Sequence, residues 1–182
     1  IDLLRANPGR FSYGSAGPGT SGHIASSAFL TRIGATAEHI VYRAAGQTFV
    51  ALQQGDVAFT SDIPSLLAPM HRQGTAHAIF VATDERSPLL RDVPTAREAG
   101  LGDYKAYSWY GIYGPAGTPR PVVERFAAAI DQALGEETIG RRLAEMGTPA
   151  MRGWTPERFA QYLVTEIDLW VPLVRASGAR AE

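Results

Sequence analysis

Short apolar runs alternate with helical patterns along the first 108 residues of the chain. Five of these runs have the length of buried strands and are bounded by turn residues. They are residues 11–14, 39–42, 57–60, 77–82 and 107–113. Strands that alternate with helices are typical of a sheet flanked by helices, so residues 1–108 are predicted to form one α/β lobe.

Capping residues mark the helices between these strands. Thr20 or Ser21 can cap a helix whose apolar face ends near Gly34. Gly55 is placed to end the second helix, and Pro64 is placed to open the third. The four predicted helices of this lobe therefore cover residues 20–34, 48–54, 64–73 and 95–100.

The pattern changes at the Gly- and Pro-rich segment of residues 114–119, and beyond it every segment has helical periodicity. Helices are predicted over residues 121–134, 136–146 and 156–176, the last capped by Thr155. The apolar faces of these helices need a sheet to pack against, and the sequence beyond residue 119 contains no predicted strand. We therefore divide the chain into an α/β lobe (1–108), a crossover or hinge (109–118) and C-terminal helices of another lobe (119–182).

Composition and charge narrow the class of protein. The chain has 182 residues, 45% of them hydrophobic, which is enough for one sizeable domain. Basic and acidic residues number 17 and 18, so the sequence has no basic surplus of the kind that nucleic acid or anionic membranes attract. There is no cysteine and no apolar run near the roughly 20 residues of a membrane span. Since the chain opens inside a helical pattern, we expect an N-terminal part to precede it.

The most informative segment is a Gly-rich loop between the first predicted strand and the first predicted helix. It reads Gly-Ser-Ala-Gly-Pro-Gly-Thr-Ser-Gly-His over residues 14–23. Glycines let the backbone approach a ligand closely, and the first N–H groups of a helix are unpaired at the positive end of its dipole. Such a loop favours a bound anion, such as a carboxylate or a phosphate.

Other interpretations of the loop stay open at this point. A phosphate-binding Walker A loop would need lysine where Thr20 stands. Residues 17–22 match the dinucleotide fingerprint formally, but Pro18 interrupts it and no ribose-binding acid follows. A serine hydrolase elbow would need Gly-x-Ser-x-Gly, whereas Ser21 is followed at once by glycine. A plain strand-to-helix turn with a serine cap is the simplest alternative.

Polar side chains also follow the next two predicted strands. Tyr42 and Arg43 lie at the end of one strand, where a parallel sheet would place them beside the Gly-rich loop. A tyrosine hydroxyl and a bidentate arginine suit a dicarboxylate, although both can also be ordinary surface residues. Asp62 follows the third strand and can accept from a ligand hydroxyl or amine, or cap the helix that Pro64 opens.

The four histidines show no metal-ligand spacing. His23, His39, His71 and His77 are scattered along the chain, and we interpret them as surface or partly buried residues. No base, nucleophile or metal set is aligned beside the Gly-rich loop. We therefore predict no metal, no cofactor and no enzymatic activity.

Several motifs in a fixed order resemble one receptor family. They are residues 6–17 (Ala-Asn-Pro-Gly-Arg-Phe-Ser-Tyr-Gly-Ser-Ala-Gly), 39–43 (His-Ile-Val-Tyr-Arg), 52–57 (Leu-Gln-Gln-Gly-Asp-Val), 86–88, 92–95, 98–100, 108–111 and 114–119. Together they make the chain similar to the Bug or TctC-like receptors of tripartite tricarboxylate transporters. The resemblance covers nearly the whole chain.

The resemblance implies a fold and a function. The fold is a type II periplasmic-binding-protein fold, with residues 1–108 as the second lobe and the helices after residue 118 mostly in the first. The implied function is extracytoplasmic, that is periplasmic, capture of a di- or tricarboxylate or an acidic amino acid for a membrane permease. Thr20 and Ser21 align with the polar pair of the family's ligand-binding loop. Arg43 stands where the family usually has lysine, so the preferred acid is expected to differ.

These considerations define one candidate ligand site. A carboxylate is expected on the backbone N–H groups of residues 17–21, with help from nearby hydroxyl groups. The full set of predicted ligand-binding residues is Ser15, Ala16, Gly17, Gly19, Thr20, Ser21, Tyr42, Arg43 and Asp62. The alternative function is the effector-sensing domain of a transcription regulator, which can share the two-lobe architecture but would carry a helix-turn-helix.

Overall fold

The computed structural model describes residues 1–179 and divides the chain into two compact units. The first unit comprises Ile1–Ser108 together with the chain from Val171 onward, and the second comprises Trp109–Trp170. The predicted assignment of these segments to two lobes stays a prediction. Within the described residues, no helix combines the length and the apolarity that crossing a membrane requires.

The first unit is built on a parallel sheet of three short strands. They are β1 (Ser12–Ser15), β2 (Glu38–Val41) and β3 (Phe59–Thr60), in the order β2-β1-β3. Ser15 pairs with Val41 and Gly14 pairs with Thr60, so all three strands end at one edge. These strands confirm the first three apolar runs predicted from the sequence.

Four helices complete the secondary structure of the segment before residue 108. They are α1 (Asp2–Ala6), α2 (Ser21–Ile33), α3 (Ala45–Gln54) and α4 (Pro64–Gln73). Thr20 caps α2 by accepting the N–H of His23, and Gly34 ends it in the left-handed conformation at φ 64°. The predicted caps of α2 and the predicted bounds of α4 are therefore confirmed.

Three predicted elements are wrong. Residues 77–82 form no strand, because only Val81 makes a bridge, to Thr95. Residues 107–113 form no strand either, and Tyr110 is 87% exposed, without the sheet neighbours that a strand would need. Residues 95–100 make a turn instead of a helix, although Thr95 does accept the Glu98 N–H as a cap would. In each case an apolar or capping pattern is present, but the backbone hydrogen bonds do not extend into a strand or a helix.

Two apolar clusters form the core of the first unit. One contains Ala28, Ile33, Ala96, Leu101 and Tyr104, and the other contains Ala68, Val81, Leu90 and Val93. The Tyr104 hydroxyl, buried in the first cluster, donates to the carbonyl of Ala25 at 2.7 Å, which satisfies its hydrogen-bonding group. The apolar run of residues 77–82 thus serves the core without joining the sheet.

The second unit contains helices α5 (Arg120–Leu134) and α6 (Glu137–Glu145) and most of α7 (Pro156–Ala176). Within residues 109–170, the buried residue is Glu166, which is 3% exposed. Its Oε2 accepts the indole N–H groups of Trp109 at 2.8 Å and Trp170 at 3.0 Å. This unit is therefore organised around a buried carboxylate and the aromatic rings beside it.

Candidate ligand-binding site

The carboxyl ends of the three parallel strands bring three loops to the same edge of the sheet. The Tyr42 N–H donates to the Ser15 carbonyl at 2.9 Å, so the end of β2 lies beside the start of the Gly-rich loop. The Thr60 hydroxyl donates to the Gly14 carbonyl at 2.9 Å, which joins the end of β3 to β1. This edge is where α/β proteins place their ligands.

Gly22 allows α2 to begin directly against the loop that follows β3. A Cβ at Gly22 would lie 2.6 Å from the Ser61 carbonyl oxygen, a distance that no larger residue tolerates without a backbone shift. Four residues further along α2, the fully buried Ser26 hydroxyl donates to the Ser61 hydroxyl at 3.0 Å. The start of α2 and the loop after β3 therefore form one packed surface.

The Gly-rich loop is held by its own hydrogen bonds. The Ser15 hydroxyl, on a residue only 2% exposed, accepts the Gly17 N–H at 3.2 Å. The Thr20 hydroxyl donates to the Gly17 carbonyl at 2.8 Å. Gly17 and Gly19 have φ values of 138° and 77°, which glycine adopts readily and other residues do not. The loop therefore has a defined shape before any ligand arrives.

These internal bonds change which loop groups are available to a ligand. The N–H groups of Gly17, Gly19 and Thr20 all donate within the loop, although the sequence predicted them as ligand donors. Within residues 1–179, by contrast, the N–H groups of Ser21 and Gly22 have no protein acceptor, and Ser21 is exposed. Among the described residues of this loop, the first turn of α2 thus has N–H groups without a protein acceptor, and the bonds of the residues before it shape the loop.

Two histidines contact the loop: His23, which is buried, and His39, which is partly buried as predicted. His23 is only 4% exposed, so its interpretation as a surface or partly buried residue is wrong. Its ring stacks on that of His39 at 4.1 Å, and His39 stacks on Tyr13 at 4.8 Å. The helical spacing from His23 to the buried Ser26 and Leu30 is the signal that places His23 on the inner face of α2.

The environment keeps both imidazoles neutral near pH 7. Desolvation lowers the pKa of His23, and desolvation together with the neighbouring His23 lowers the pKa of His39 to about 4. His39 Nε2 lies 2.7 Å from the Ser15 hydroxyl, which superficially resembles a nucleophile and its base. A ring with so low a pKa is a poor base at neutral pH, and Ser15 is buried, so the pair is suited to holding the loop.

Tyr42 and Arg43 occupy different positions although they are neighbours in sequence. The Tyr42 ring packs beside Gly14, where a Cβ would lie 3.2 Å from Tyr42 Cε2. Arg43 is exposed, and its backbone N–H donates to the side chain of Gln47. The Arg43 guanidinium forms no hydrogen bond or ion pair within residues 1–179. A positive charge is thus free at the edge of the sheet.

Asp62 lies in the loop after β3, next to Ser61. Its Oδ1 accepts the N–H of Ile63 at 2.8 Å, and Ile63 is the N-cap residue of α4, so the carboxylate does not cap that helix. Desolvation raises the pKa of the Asp62 carboxyl, and the bond from Ile63 opposes that rise. Asp62 therefore keeps a carboxyl oxygen that can accept from a ligand.

A parallel sheet with preformed polar loops at its carboxyl edge defines the class as an α/β ligand-binding protein, and solved structures show which kind. The chain is similar to the periplasmic binding protein BugD, with a TM-score of 0.81, 22% identity and coverage of 100% of this chain and 61% of that one. It is similar to an R. palustris protein with adipate (TM-score 0.81, 27% identity, 98% and 59% covered). MatC of Rhodopseudomonas palustris with bound malate is also similar, with a TM-score of 0.80, 28% identity and coverage of 95% of this chain and 60% of that one.

A family model described as the tripartite tricarboxylate transporter family receptor, TctC, matches residues 1–178, and the chain belongs to this family. A UPF0065 protein of Pseudomonas sp. is 35% identical over 96% of this chain and 52% of its own length. Protein BugT of Bordetella pertussis is 28% identical over 99% of this chain and 55% of its own length. The chain thus spans about half the length of these relatives. The periplasmic-binding-protein fold class and the family predicted from the sequence are confirmed.

Proposed function

We propose that this chain carries the ligand-gripping loop of an extracytoplasmic receptor that captures a small organic acid. The observation that supports this most directly is the pair of unpaired N–H groups of Ser21 and Gly22 at the start of a 13-residue helix. Helix N-termini bind anions because their N–H groups and the helix dipole point at the ligand. The named ligands of two similar structures, adipate and malate, are both carboxylates.

The loops after β2 and β3 provide for the rest of the ligand. The free guanidinium of Arg43 offers two parallel N–H donors to a second carboxylate, which favours a dicarboxylate over a monocarboxylate. Asp62 accepts from a hydroxyl or amine on the ligand through the carboxyl oxygen that does not bond to Ile63. Nothing is chemically transformed at this site.

The receptor acts in the periplasm and delivers the acid to the membrane permease of a tripartite tricarboxylate transporter. The family to which the chain belongs supports this role, and similar solved proteins are described as periplasmic.

Amide mapping by NMR tests the proposal even if the affinity is weak. The ¹⁵N-labelled chain is titrated with malate, adipate, a tricarboxylate, acidic amino acids and acetate. We expect one dicarboxylate class to shift the amides of Ala16, Ser21 and Gly22 in a saturable way, with acetate weaker because it cannot also use Arg43. Saturable shifts confined to other segments, or no shift with any acid, would contradict the proposal.

A further inference from the structure

Two histidines from separate elements contact the ligand-binding loop at its two most constrained points. His23 belongs to α2 and His39 to β2, and their rings are nearly parallel, 9° apart with centroids at 4.1 Å. Tyr13 of β1 stacks on His39 at 4.8 Å. The loop therefore rests on a stack of rings contributed by three elements of the first unit.

Each imidazole makes one specific bond to the loop. His23 Nδ1 accepts the backbone N–H of Gly19 at 3.1 Å, which requires that Nδ1 carry no proton. His39 Nε2 is 2.7 Å from the Ser15 hydroxyl, which in turn accepts the Gly17 N–H. Gly17 and Gly19 are the two loop residues with positive φ, so the rings hold the loop where its backbone is most unusual.

None of the described groups that face these rings carries a negative charge to offset an added proton. His23 faces the rings of Tyr13 and His39 and the backbone of Gly19, and His39 faces Tyr13, His23 and the Ser15 hydroxyl. No carboxylate bonds to either ring within residues 1–179. A proton on one ring would place a charge 4.1 Å from the other ring in a desolvated site, and desolvation lowers the pKa of both.

We propose that His23 and His39 are positioning residues that keep the ligand-binding loop in its binding shape while both rings are neutral, and that acidification releases it. The relevance of this loop to ligand capture rests on the function proposed above. A proton on His23 Nδ1 turns the acceptor of the Gly19 N–H into a donor, so that bond is lost. The loop then loses its anchor next to the first turn of α2, where the acid is held.

The test follows the Gly19 amide as a function of pH in the ligand-free chain. We expect ¹⁵N shifts of His23 at pH 7 to show a neutral ring protonated at Nε2. As the pH is lowered from 7, the exchange protection factor of the Gly19 amide should fall at least about tenfold once those ¹⁵N shifts show a charged His23 ring, since the bond is then broken. A His23 ring protonated at Nδ1 at pH 7, or unchanged Gly19 protection, would overturn the inference.

Matched variants separate positioning from simple packing. In His23→Asn the amide oxygen takes the place of Nδ1 and cannot be protonated, so Gly19 protection should become independent of pH. His71→Asn is the control, because His71 Nδ1 also accepts a backbone N–H, from Ala78 at 3.2 Å, but far from the loop in sequence and beside Asp92. It should leave the Gly19 profile of the wild type unchanged. If His23→Asn does not fold, the ¹⁵N shifts of His23 and the Gly19 protection in the wild type still test the inference.

The same samples distinguish failure of this inference from failure of the proposed function. In one outcome, the amides of Ser21 and Gly22 shift with malate or adipate at pH 7 while the protection of Gly19 does not change with pH. This would support the receptor function and contradict the proposed role of the histidines. In the reverse outcome, the protection of Gly19 changes with pH but no acid shifts the amides in the first turn of α2. This would support the role of the histidines and contradict the proposed ligand site.

Discussion

The two units of the chain differ in how much apolar surface each one buries. Within residues 1–179, all the buried apolar residues lie in the first unit, and nine of these fifteen belong to its two clusters. The second unit buries Glu166, whereas Phe126 and Val164 on its helices are 63% and 52% exposed. Hydrophobic burial of about 25 cal/mol per Å² therefore stabilises the first unit far more than the second.

The two units are therefore held in shape by different interactions. The first unit has an apolar core and a sheet whose strand ends are joined by hydrogen bonds, and the Gly-rich loop follows directly from that sheet. The second unit is arranged by helix propensity, aromatic contacts such as Trp109 on Phe159 at 5.7 Å, and the bonds of one carboxylate. A site that must recognise a small acid is expected where the backbone is held by packing, which is the first unit.

The largest expected contrast comes from equivalent truncations in the two units. Ile24 is 2% exposed and Ile167 is 51% exposed. Ile24→Ala should cost about 3 kcal/mol of unfolding free energy because it leaves a cavity, and Ile167→Ala should cost less than about 0.5 kcal/mol. Urea denaturation measures both. Equal losses would show that the second unit has a core after all.

The next largest effect should be confined to the second unit. Glu166→Ala removes the acceptor of two indole N–H groups and is expected to cost about 2 kcal/mol, and Glu166→Gln, which keeps an acceptor oxygen, should cost less. The change is read from tryptophan emission in a urea titration, since all three tryptophans lie within residues 109–170. Identical behaviour of the two variants would mean that the carboxylate position does not organise this unit.

The pH dependence of stability should also separate the units, because all four histidines lie before residue 108. Between pH 6.5 and about 4 the unfolded chain binds a proton at residue 39 that the folded chain excludes. Stability must therefore fall as the pH falls through this window, by about 2 kcal/mol after allowance for the partial exposure of His39. The lowered pKa values of Asp92 and Glu98 act mainly below it.

Denaturation at several pH values measures this loss. His39→Gln, which places an amide near the position of Nε2, should reduce the slope of the profile between pH 4 and pH 6.5 and leave the part that the lowered pKa of His23 contributes. His77→Gln changes an exposed histidine and serves as the control, with the wild-type slope retained. A flat wild-type profile would contradict the assignment of a neutral, desolvated His39.

The smallest effect compares one N-cap from each unit. Thr20 accepts the His23 N–H at 3.4 Å, and Thr155 accepts the Arg158 N–H at 3.2 Å. Thr20→Ala and Thr155→Ala should each cost about 1 kcal/mol of stability. Acid binding followed by NMR should weaken in the Thr20 variant alone, because only that cap adjoins the proposed site. Equal weakening in both variants would make the effect one of general stability.

Local signals predicted the parts of the fold that depend on local chemistry. The caps at Thr20 and Gly34 and the proline at residue 64 set helix ends that the structure confirms. The apolar run at residues 77–82 was ambiguous, since Val81 satisfies the core whether or not its backbone joins the sheet. Strand formation depends on a neighbouring backbone, which periodicity along one segment cannot reveal.

The candidate site was likewise predictable from the sequence only where it depends on local signals. Its glycines and its position after a strand were visible in the sequence, as were Arg43 and Asp62. Which loop N–H groups stay free was not, because that depends on bonds from distant residues. The pair of Ser15 and His39, 24 residues apart, and the ring of His23 beneath Gly19 exist only once β1, β2 and α2 are assembled.

Calorimetric titration of Ser21→Pro and Ser21→Ala, with the dicarboxylate that binds the wild type best, tests the central claim most directly. Proline is favoured at the first position of a helix, and Thr20 already has the extended conformation that a following proline requires, with φ −67° and ψ 156°. The substitution therefore removes the Ser21 N–H without disturbing α2. We predict that Ser21→Pro weakens binding at least about tenfold, or about 1.4 kcal/mol, and Ser21→Ala by less. Wild-type affinity in Ser21→Pro would contradict the claim that a ligand carboxylate rests on the first turn of this helix.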